Sequence, residues 1–143
     1  LVLAGLKADL ESLVDTFKAA GAKRALVLDM SVASHCELLQ SAVENLKPYL
    51  FEFLNDEFLD VVSNVSAEVY NTKDEAIEFL SSQLISPVKY KQSIKAHDSK
   101  VDLYIEFGNG AVLKGLNKKS SEKPTLNVSD MKTLNETIEA LND

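Results

Sequence analysis

The sequence predicts an α/β fold in which a parallel sheet is covered by helices. Apolar runs of strand length alternate along the chain with segments whose apolar residues recur at helical spacing. Glycine, proline and capping residues separate these segments at short intervals, which is typical of closely connected elements. The chain has 143 residues, 45% of them apolar and 26% charged, which is enough for an ordinary globular domain with a core.

The first thirty residues predict a strand, a helix and a second strand. Residues 2–4 and 24–28 are apolar runs of strand character, and Gly21 is a typical left-handed stop for the helix between them. The helix covers residues 8–20, and its apolar face is formed by Leu10, Leu13, Val14 and Phe17. This β-α-β unit is half of a small ferredoxin-like subdomain, whose other half would precede Leu1. Because the chain opens on an apolar run without a methionine, we expect coding sequence upstream.

The middle of the chain predicts two helices and a strand between them. The first helix covers residues 36–47 and should end at Pro48, because the residue before a proline is pushed out of the helical region. Residues 59–63 form a short apolar strand. Thr72 and Glu75 match a capping box and open the second helix. Its apolar face is formed by Ile77, Leu80 and Leu84.

The last third of the chain continues the alternation of helix and strand. Ser86 and Pro87 are suited to begin a helix, and Ser129 is suited to cap the last one. The turn Gly108-Asn109-Gly110 closes the most strand-like run of the sequence, and its amides could meet an anion at the following helix start. The predicted elements are a helix to His97, a strand at 101–107, a helix at 111–120, a strand at 125–128 and a helix to Leu141.

Composition excludes several classes of function. The formal net charge of −7 argues against nonspecific nucleic-acid binding, which needs a basic surface. No apolar run approaches the roughly 18 residues of a membrane span, and no secretory signal opens the chain. The single cysteine, Cys36, cannot form an internal disulfide, so we expect a reducing, cytoplasmic location.

His35 is the strongest candidate for chemistry, because it stands where a loop meets a predicted helix and histidine suits acid–base catalysis near neutral pH. From the residues alone, however, a lone histidine is more often structural than catalytic. Cys36 is an unsuitable partner, since neighbouring helical residues do not face each other. His97 is expected to be an ordinary helix-end histidine, and no metal site or nucleophile elbow is apparent.

Separated segments, in the same order, resemble bacterial malonyl-CoA:acyl carrier protein transacylases. They are Ala20-Gly21-Ala22-Lys23-Arg24-Ala25; Ser31-Val32-Ala33-Ser34-His35-Cys36-Glu37-Leu38-Leu39; Leu59-Asp60-Val61-Val62-Ser63-Asn64-Val65; Gln83-Leu84-Ile85-Ser86-Pro87-Val88-Lys89-Tyr90; and Glu106-Phe107-Gly108-Asn109-Gly110-Ala111-Val112-Leu113-Lys114-Gly115-Leu116. The resemblance implies the C-terminal part of an α/β-hydrolase-like acyltransferase core at residues 31–143. Residues 1–30 would be the C-terminal half of the inserted ferredoxin-like subdomain.

The implied function is transfer of a malonyl group from coenzyme A to the phosphopantetheine thiol of acyl carrier protein, in fatty-acid biosynthesis. By this resemblance a serine on an upstream segment is the nucleophile of a ping-pong reaction, and His35 is its general base. Gln83 would orient the imidazole through its main-chain carbonyl, about 2.7–3.2 Å from His35 Nδ1. Lys114 and Lys118 share a helix face with Lys119 nearby, and these lysines are predicted to dock the acidic carrier protein, although a solvated helix face explains them equally well. No cofactor is expected, because coenzyme A enters as a substrate thioester.

Three residues depart from the family pattern, and two alternatives to the transferase stay open. Asn109 and Tyr90 replace a usual proline and tryptophan, and Ser34 stands where many malonyl-specific relatives have phenylalanine. The last exchange leaves acyl selectivity open. The chain could instead be a noncatalytic fragment that docks acyl carrier protein or completes a partner chain, or part of a related acyl hydrolase. By itself it is expected to be inactive, because the N-terminal half of the enzyme supplies the serine and the carboxylate-binding arginine.

Overall fold

The computed structural model of the protein describes residues 2–142. They divide into two units, the first ending at Val88 and the second beginning at Lys89. The boundary predicted at residue 30 is a different kind of division, between subdomains, and stays a prediction. Among the described residues, no helix has the length and apolar character needed to cross a bilayer.

The first unit consists of three helices, a short 3₁₀ turn and a two-stranded antiparallel ribbon. These elements are α1 (Lys7–Ala19), the 3₁₀ turn Glu37–Leu39, α2 (Gln40–Phe53), β1 (Glu57–Val62), β2 (Val69–Thr72) and α3 (Lys73–Ser82). The ribbon pairs Val61 with Tyr70 and Val62 with Val69. Its small core contains Tyr70, whose ring contacts Phe79 at 5.3 Å between centroids, and the buried Ala76.

The start of α3 is fixed by the predicted capping residues. The hydroxyl of Thr72 accepts a hydrogen bond from the Glu75 N–H at 3.4 Å and donates one to the Glu75 carboxylate at 2.7 Å. These bonds satisfy part of the helix N-terminus and lower the pKa of Glu75, chiefly through the Thr72 hydroxyl. The helix then ends at Ser82, two residues before the last apolar position assigned to it.

The second unit contains a parallel strand pair joined by a helix. Its elements are α4 (Tyr90–His97), the 3₁₀ turn Asp98–Lys100, β3 (Tyr104–Phe107), α5 (Val112–Asn117), β4 (Thr125–Val128) and α6 (Met131–Asn142). β3 and β4 pair in parallel from Tyr104 opposite Thr125 to Phe107 opposite Val128. Parallel strands require a crossover, which α5 and its flanking turns provide. The predicted parallel sheet is therefore present in the second unit.

A chain of hydrogen bonds ties α4, α5 and β4 together inside the second unit. The Tyr90 hydroxyl donates to Asn117 Oδ1 at 2.7 Å, and Asn117 Nδ2 donates to the Thr125 hydroxyl at 3.1 Å. Asn117 is only 3% exposed. Burial, together with the negative charge of Glu106, raises the pKa of Tyr90, so its hydroxyl stays a donor at neutral pH.

The two strands predicted near the start of the chain are absent from the described structure. Residues 2–4 and 22–30 belong to no strand, although α1 between them forms almost as predicted and Gly21 takes φ 95° at its end. A strand is defined by its ladder to a neighbour, and neither segment pairs with another among residues 2–142. The helix of the predicted β-α-β unit is therefore present and its two strands are not, while the assignment to a ferredoxin-like subdomain stays a prediction.

The helix predicted to stop before Pro48 is wrong at both ends. It begins with the 3₁₀ turn at Glu37, and α2 continues through Pro48 to Phe53. Proline removes one helical N–H, but the remaining bonds and the packing of α2 on α3 keep the helix continuous. The last helix differs more subtly. Asp130, rather than Ser129, caps α6 by accepting the Thr133 N–H at 2.8 Å.

Other elements differ mainly in length, and one was not predicted. The helices expected from Pro87 and from Ala111 begin instead at Tyr90 and Val112, and α5 stops at Asn117. β3 is shorter than the predicted strand at 101–107, because only Tyr104–Phe107 of that run pair with β4. The strand β2 is the element that the sequence pattern does not predict. Its four residues follow the loop 63–68 after β1, and too few of them alternate for period-two patterning to be visible.

Candidate functional site

His35 lies in the loop before the 3₁₀ turn and has a left-handed backbone, with φ 63°. This conformation is uncommon for a residue with a side chain, so the surrounding contacts must hold it. One such contact is a hydrogen bond from the His35 N–H to the Leu84 carbonyl, at 2.9 Å. The loop is therefore attached by its backbone to the segment that follows α3.

The imidazole of His35 makes a second bond to the same segment. Its Nδ1 lies 2.8 Å from the main-chain oxygen of Gln83, within the predicted range. A carbonyl oxygen can only accept, so Nδ1 must carry the proton and donate it. In the neutral ring, Nε2 is then unprotonated, and it has no hydrogen-bond partner among residues 2–142. The exposed side chain thus presents a basic nitrogen with a defined tautomer.

The Gln83 carbonyl is available because α3 ends immediately before it. The last carbonyls of a helix have no intrahelical donor and need partners from elsewhere. The Gln83 N–H still bonds back to Phe79 at 2.9 Å, whereas the Leu84 N–H reaches Ser81 at 3.3 Å in a looser turn. His35 therefore provides donors for two successive carbonyls, those of Gln83 and Leu84.

The side chain of Gln83 is held separately, by a residue to which the sequence analysis gave no role. Asn64 Nδ2 donates to Gln83 Oε1 at 3.1 Å, and both side chains are half-buried. The segment resemblance includes Asn64 as the residue after the core strand, but nothing in the local sequence shows that it reaches Gln83. The site therefore contains three residues, His35, Gln83 and Asn64, from three separate loops or helix ends.

His35 borders an open cleft of about 1050 Å³ in the first unit. The cleft is lined mostly by apolar residues of α1 and of the segment 22–30, and Ser34 also contributes to its wall. The charged residues of these two elements that line it are Lys7, Glu11, Arg24 and Asp29. Ser34 and His35 therefore border the same space. Such an arrangement allows a base to act on a hydroxyl or thiol that enters a largely apolar cleft.

The other chemically versatile residues lie outside this arrangement. The Cys36 thiol donates to the Ala33 carbonyl at 3.3 Å, so it is not paired with His35, and it precedes a 3₁₀ turn rather than lying in a helix. His97 is the last residue of α4 in the second unit. Among residues 2–142, no three His, Cys, Asp or Glu side chains come together in a way that could hold a metal ion.

The predicted docking lysines are only partly brought together. Lys114 in α5 and Lys118 just after it line a shallow cleft of about 640 Å³, to which Lys123 also contributes. The Lys123 ammonium donates to the Val101 carbonyl. Lys119 lies beyond the end of α5 and is not in the cleft wall. The docking role itself stays a prediction.

The first turn of α5, which follows the glycine turn, binds a carboxylate supplied by the chain itself. The carboxylate of Glu106, which is 9% exposed, accepts the N–H groups of Leu113 and Lys114 at 2.9 and 3.0 Å. Gly108 and Gly110 take φ 127° and 91°, which glycine adopts freely. The Leu113 and Lys114 amides at this helix start are therefore occupied by Glu106 and are not open to an external anion.

Comparisons of the sequence and of the structure with known proteins give similar proteins of the same name. No protein-family model matches the chain. The malonyl CoA-acyl carrier protein transacylase of Bacillus subtilis is 38% identical over 146 residues, covering 100% of this chain and 46% of the relative. The protein of the same name from Haemophilus influenzae is 35% identical, over 99% of this chain and 46% of the relative. The chain thus spans about half the length of these curated relatives.

Solved structures give the same result. The malonyl-CoA:acyl carrier protein transacylase of Helicobacter pylori superposes with a TM-score of 0.93 and 45% identity, over 97% of this chain and 45% of that one. A type II PKS acyl-carrier protein in complex with its malonyl-transacylase contains a chain that superposes with a TM-score of 0.86 and 32% identity, over 95% of this chain and 45% of that one. The fold of the chain is that of part of an α/β acyltransferase.

Proposed function

The chain is homologous along its whole length to part of the malonyl CoA-acyl carrier protein transacylases, and we propose that it serves the same reaction within a complete enzyme. That reaction transfers a malonyl group from coenzyme A to the phosphopantetheine thiol of acyl carrier protein in fatty-acid biosynthesis. The observation that carries the proposal is the 2.8 Å contact between His35 Nδ1 and the Gln83 carbonyl, because it leaves Nε2 free to act as a base.

The proposed chemistry consists of two acyl transfers through one histidine. His35 Nε2 accepts the proton of a serine hydroxyl supplied by the segment outside this chain, and the serine oxygen attacks the thioester carbonyl. The imidazolium then returns that proton to the departing thiol of coenzyme A. In the second half, Nε2 takes the proton of the phosphopantetheine thiol, whose sulfur attacks the malonyl ester, and the serine regains its proton as it leaves.

Gln83 contributes through its backbone in this scheme. Its carbonyl keeps the Nδ1 proton in place, so Nε2 is the nitrogen that changes protonation state. When the ring becomes cationic, the carbonyl dipole at the end of α3 faces the new charge and stabilises it. A neutral carbonyl thus takes the part that a carboxylate plays in a Ser-His-Asp triad, without adding a buried charge to the site.

The proposed reaction has acyl carrier protein as its acceptor, and one structural neighbour supports this partner. The solved complex of a malonyl-transacylase with an acyl-carrier protein supports a carrier protein as acceptor. Lys114 and Lys118 are the basic residues that we assign to this encounter, with Lys119 beside them, because a local positive patch can steer an acidic partner toward an acidic protein. The reaction needs no cofactor, and we place it in the cytoplasm.

The proposal is tested by substituting His35, Gln83 and, as a matched control, His97 in the complete enzyme. We expect His35→Ala to lower kcat for malonyl transfer by about 10²–10⁴-fold, the range for a positioned acid–base group. Gln83→Ala should cost about tenfold or less, because the backbone acceptor remains. His97→Ala, at the end of α4, should leave the rate unchanged.

The rates are measured as formation of malonyl-carrier protein from malonyl-CoA. Activity that survives His35→Ala within tenfold contradicts the assignment of the base. Equal losses at His35 and Gln83 would mean that the Gln83 side chain carries the chemistry. Release of free malonate with no transfer to the carrier protein would favour the acyl hydrolase instead, and no reaction of either kind would favour a noncatalytic role.

A further inference from the structure

We propose that Asn64 is a positioning residue for the base, acting on His35 through Gln83. The inference rests on the proposed function for its effect on rate, but its structural part concerns only these three residues. Asn64 Nδ2 bonds to Gln83 Oε1 at 3.1 Å, and the main-chain oxygen of the same Gln83 bonds to His35 Nδ1 at 2.8 Å. Gln83 therefore links the Asn64 amide to the His35 imidazole through two hydrogen bonds.

Asn64 is suited to be the fixed end of this connection. It follows β1 in a tight turn organised by Ser63, which is 3% exposed. The Ser63 hydroxyl accepts the N–H groups of Val65 and Ser66 at 3.0 and 3.3 Å, and its carbonyl accepts the Ala67 N–H at 2.9 Å. These bonds on either side of Asn64 leave its backbone little freedom, so its amide is presented from a rigid support.

Gln83, by contrast, needs such a support. Its carbonyl oxygen belongs to the peptide plane that also carries the Leu84 N–H. That N–H reaches the Ser81 carbonyl at 3.3 Å, beyond the usual range for N–H···O bonds, so the turn after α3 restrains the plane weakly. The hydrogen bond from Asn64 to the Gln83 side chain restricts the same residue from its other end and so limits reorientation of the carbonyl.

Loss of the hydrogen bond between the Asn64 and Gln83 side chains should have a small effect on the rate. Removing the Asn64 amide leaves the Gln83 carbonyl present but less well held, so the Nδ1 proton and the ring orientation become less defined. The loss should resemble that of one neutral hydrogen bond, about 3- to 10-fold in kcat. KM for both substrates should stay unchanged, because neither Asn64 nor the Gln83 side chain contacts the cleft wall.

The test combines Asn64→Ala with two variants that separate the Asn64–Gln83 bond from general damage. Gln83→Glu keeps an acceptor for the Asn64 amide, whereas Gln83→Leu removes it. Asn71→Ala is the matched control, since Asn71 Nδ2 donates to Asp60 Oδ1 at 3.0 Å across the same β1–β2 ribbon but away from His35. The tautomer of His35 is read from its ¹⁵N shifts in the complete enzyme, and kcat and KM are measured on the same samples.

We expect the Nδ1–H tautomer to lose population in Asn64→Ala and Gln83→Leu, and to persist in Gln83→Glu and Asn71→Ala. The double variant Asn64→Ala/Gln83→Leu should be no worse than either single one, because both remove the same bond. An unchanged tautomer in Asn64→Ala, or an equal change in Asn71→Ala, overturns the inference. If the tautomer responds as expected but no variant and no parent enzyme transfers malonyl groups, the positioning role stands and the proposed function fails.

Discussion

Replacing Tyr90 with phenylalanine should destabilise the second unit by more than the loss of one surface hydrogen bond. The Tyr90 hydroxyl is the donor to Asn117 Oδ1, at 2.7 Å. Phenylalanine keeps the ring and its packing but leaves that oxygen without its partner. Since Asn117 is 3% exposed and its amide nitrogen already bonds to Thr125, water has little room to replace the missing hydroxyl.

The magnitude follows from this burial. An ordinary hydrogen bond contributes about 0.5–1.5 kcal/mol net, but a buried acceptor left unsatisfied costs about 1–3 kcal/mol. We therefore expect Tyr90→Phe to lower the free energy of unfolding by about 1–3 kcal/mol. Tyr49→Phe is the matched control, because Tyr49 is 62% exposed and its ring stacks on Phe53, so its free energy should change by less than about 0.5 kcal/mol.

Urea unfolding followed by circular dichroism measures both variants, with equal m-values required for the comparison. A Tyr90→Phe variant as stable as the parent would refute the claim that the Asn117 oxygen is sealed from water. If Tyr90→Phe and Tyr49→Phe destabilise the protein equally, the effect of removing the hydroxyl does not depend on its burial. The double substitution with Asn117→Ala completes the cycle and should show clear non-additivity.

Three further predictions concern activity and pH. Residues 1–143 alone should form no malonyl-carrier protein above a no-protein control, because the proposed mechanism takes its serine nucleophile from another segment. In the complete enzyme, Lys114→Glu with Lys118→Glu should raise KM for carrier protein and leave KM for malonyl-CoA unchanged. If the variant and the parent have the same KM for carrier protein at low salt, docking at these lysines is contradicted. Hydrogen bonds from Ser121 and then Tyr104 lower the pKa of Asp98, so the stability this carboxylate contributes is present above its unfolded pKa and is lost as the pH falls through the lowered value. Burial and the hydrogen bond to Asp98 raise the pKa of Tyr104 to about 12, so the Tyr104 hydroxyl stays a donor. Tyr104→Phe should therefore raise the pKa of Asp98, measured by NMR titration, toward its ordinary value. An unchanged Asp98 pKa would contradict the role of this hydrogen bond.

Local chemistry allowed much of the fold to be predicted. The Thr72 cap, the Gly21 stop and β4 depend on residues that are neighbours in sequence, so their patterns are visible without the tertiary structure. The predicted strands at residues 2–4 and 24–28 were wrong for the described chain for the opposite reason. Apolar character favours a strand, but only a paired neighbour makes one. Pro48 shows the same limit, because packing on α3 outweighed a local helix stop.

The α/β class and the candidate base could be predicted from the amino-acid sequence, and the family resemblance added the Gln83 carbonyl as the partner of His35. The folded chain was needed to show that His35 Nδ1 lies 2.8 Å from the Gln83 carbonyl oxygen, 48 residues away, and that Asn64 bonds to Gln83 across 19 residues. It likewise assigned the Glu106 carboxylate to the start of α5. Hydrogen bonds of this kind leave no periodic trace in the sequence, because they depend on where separate elements pack rather than on the spacing of residues within one element.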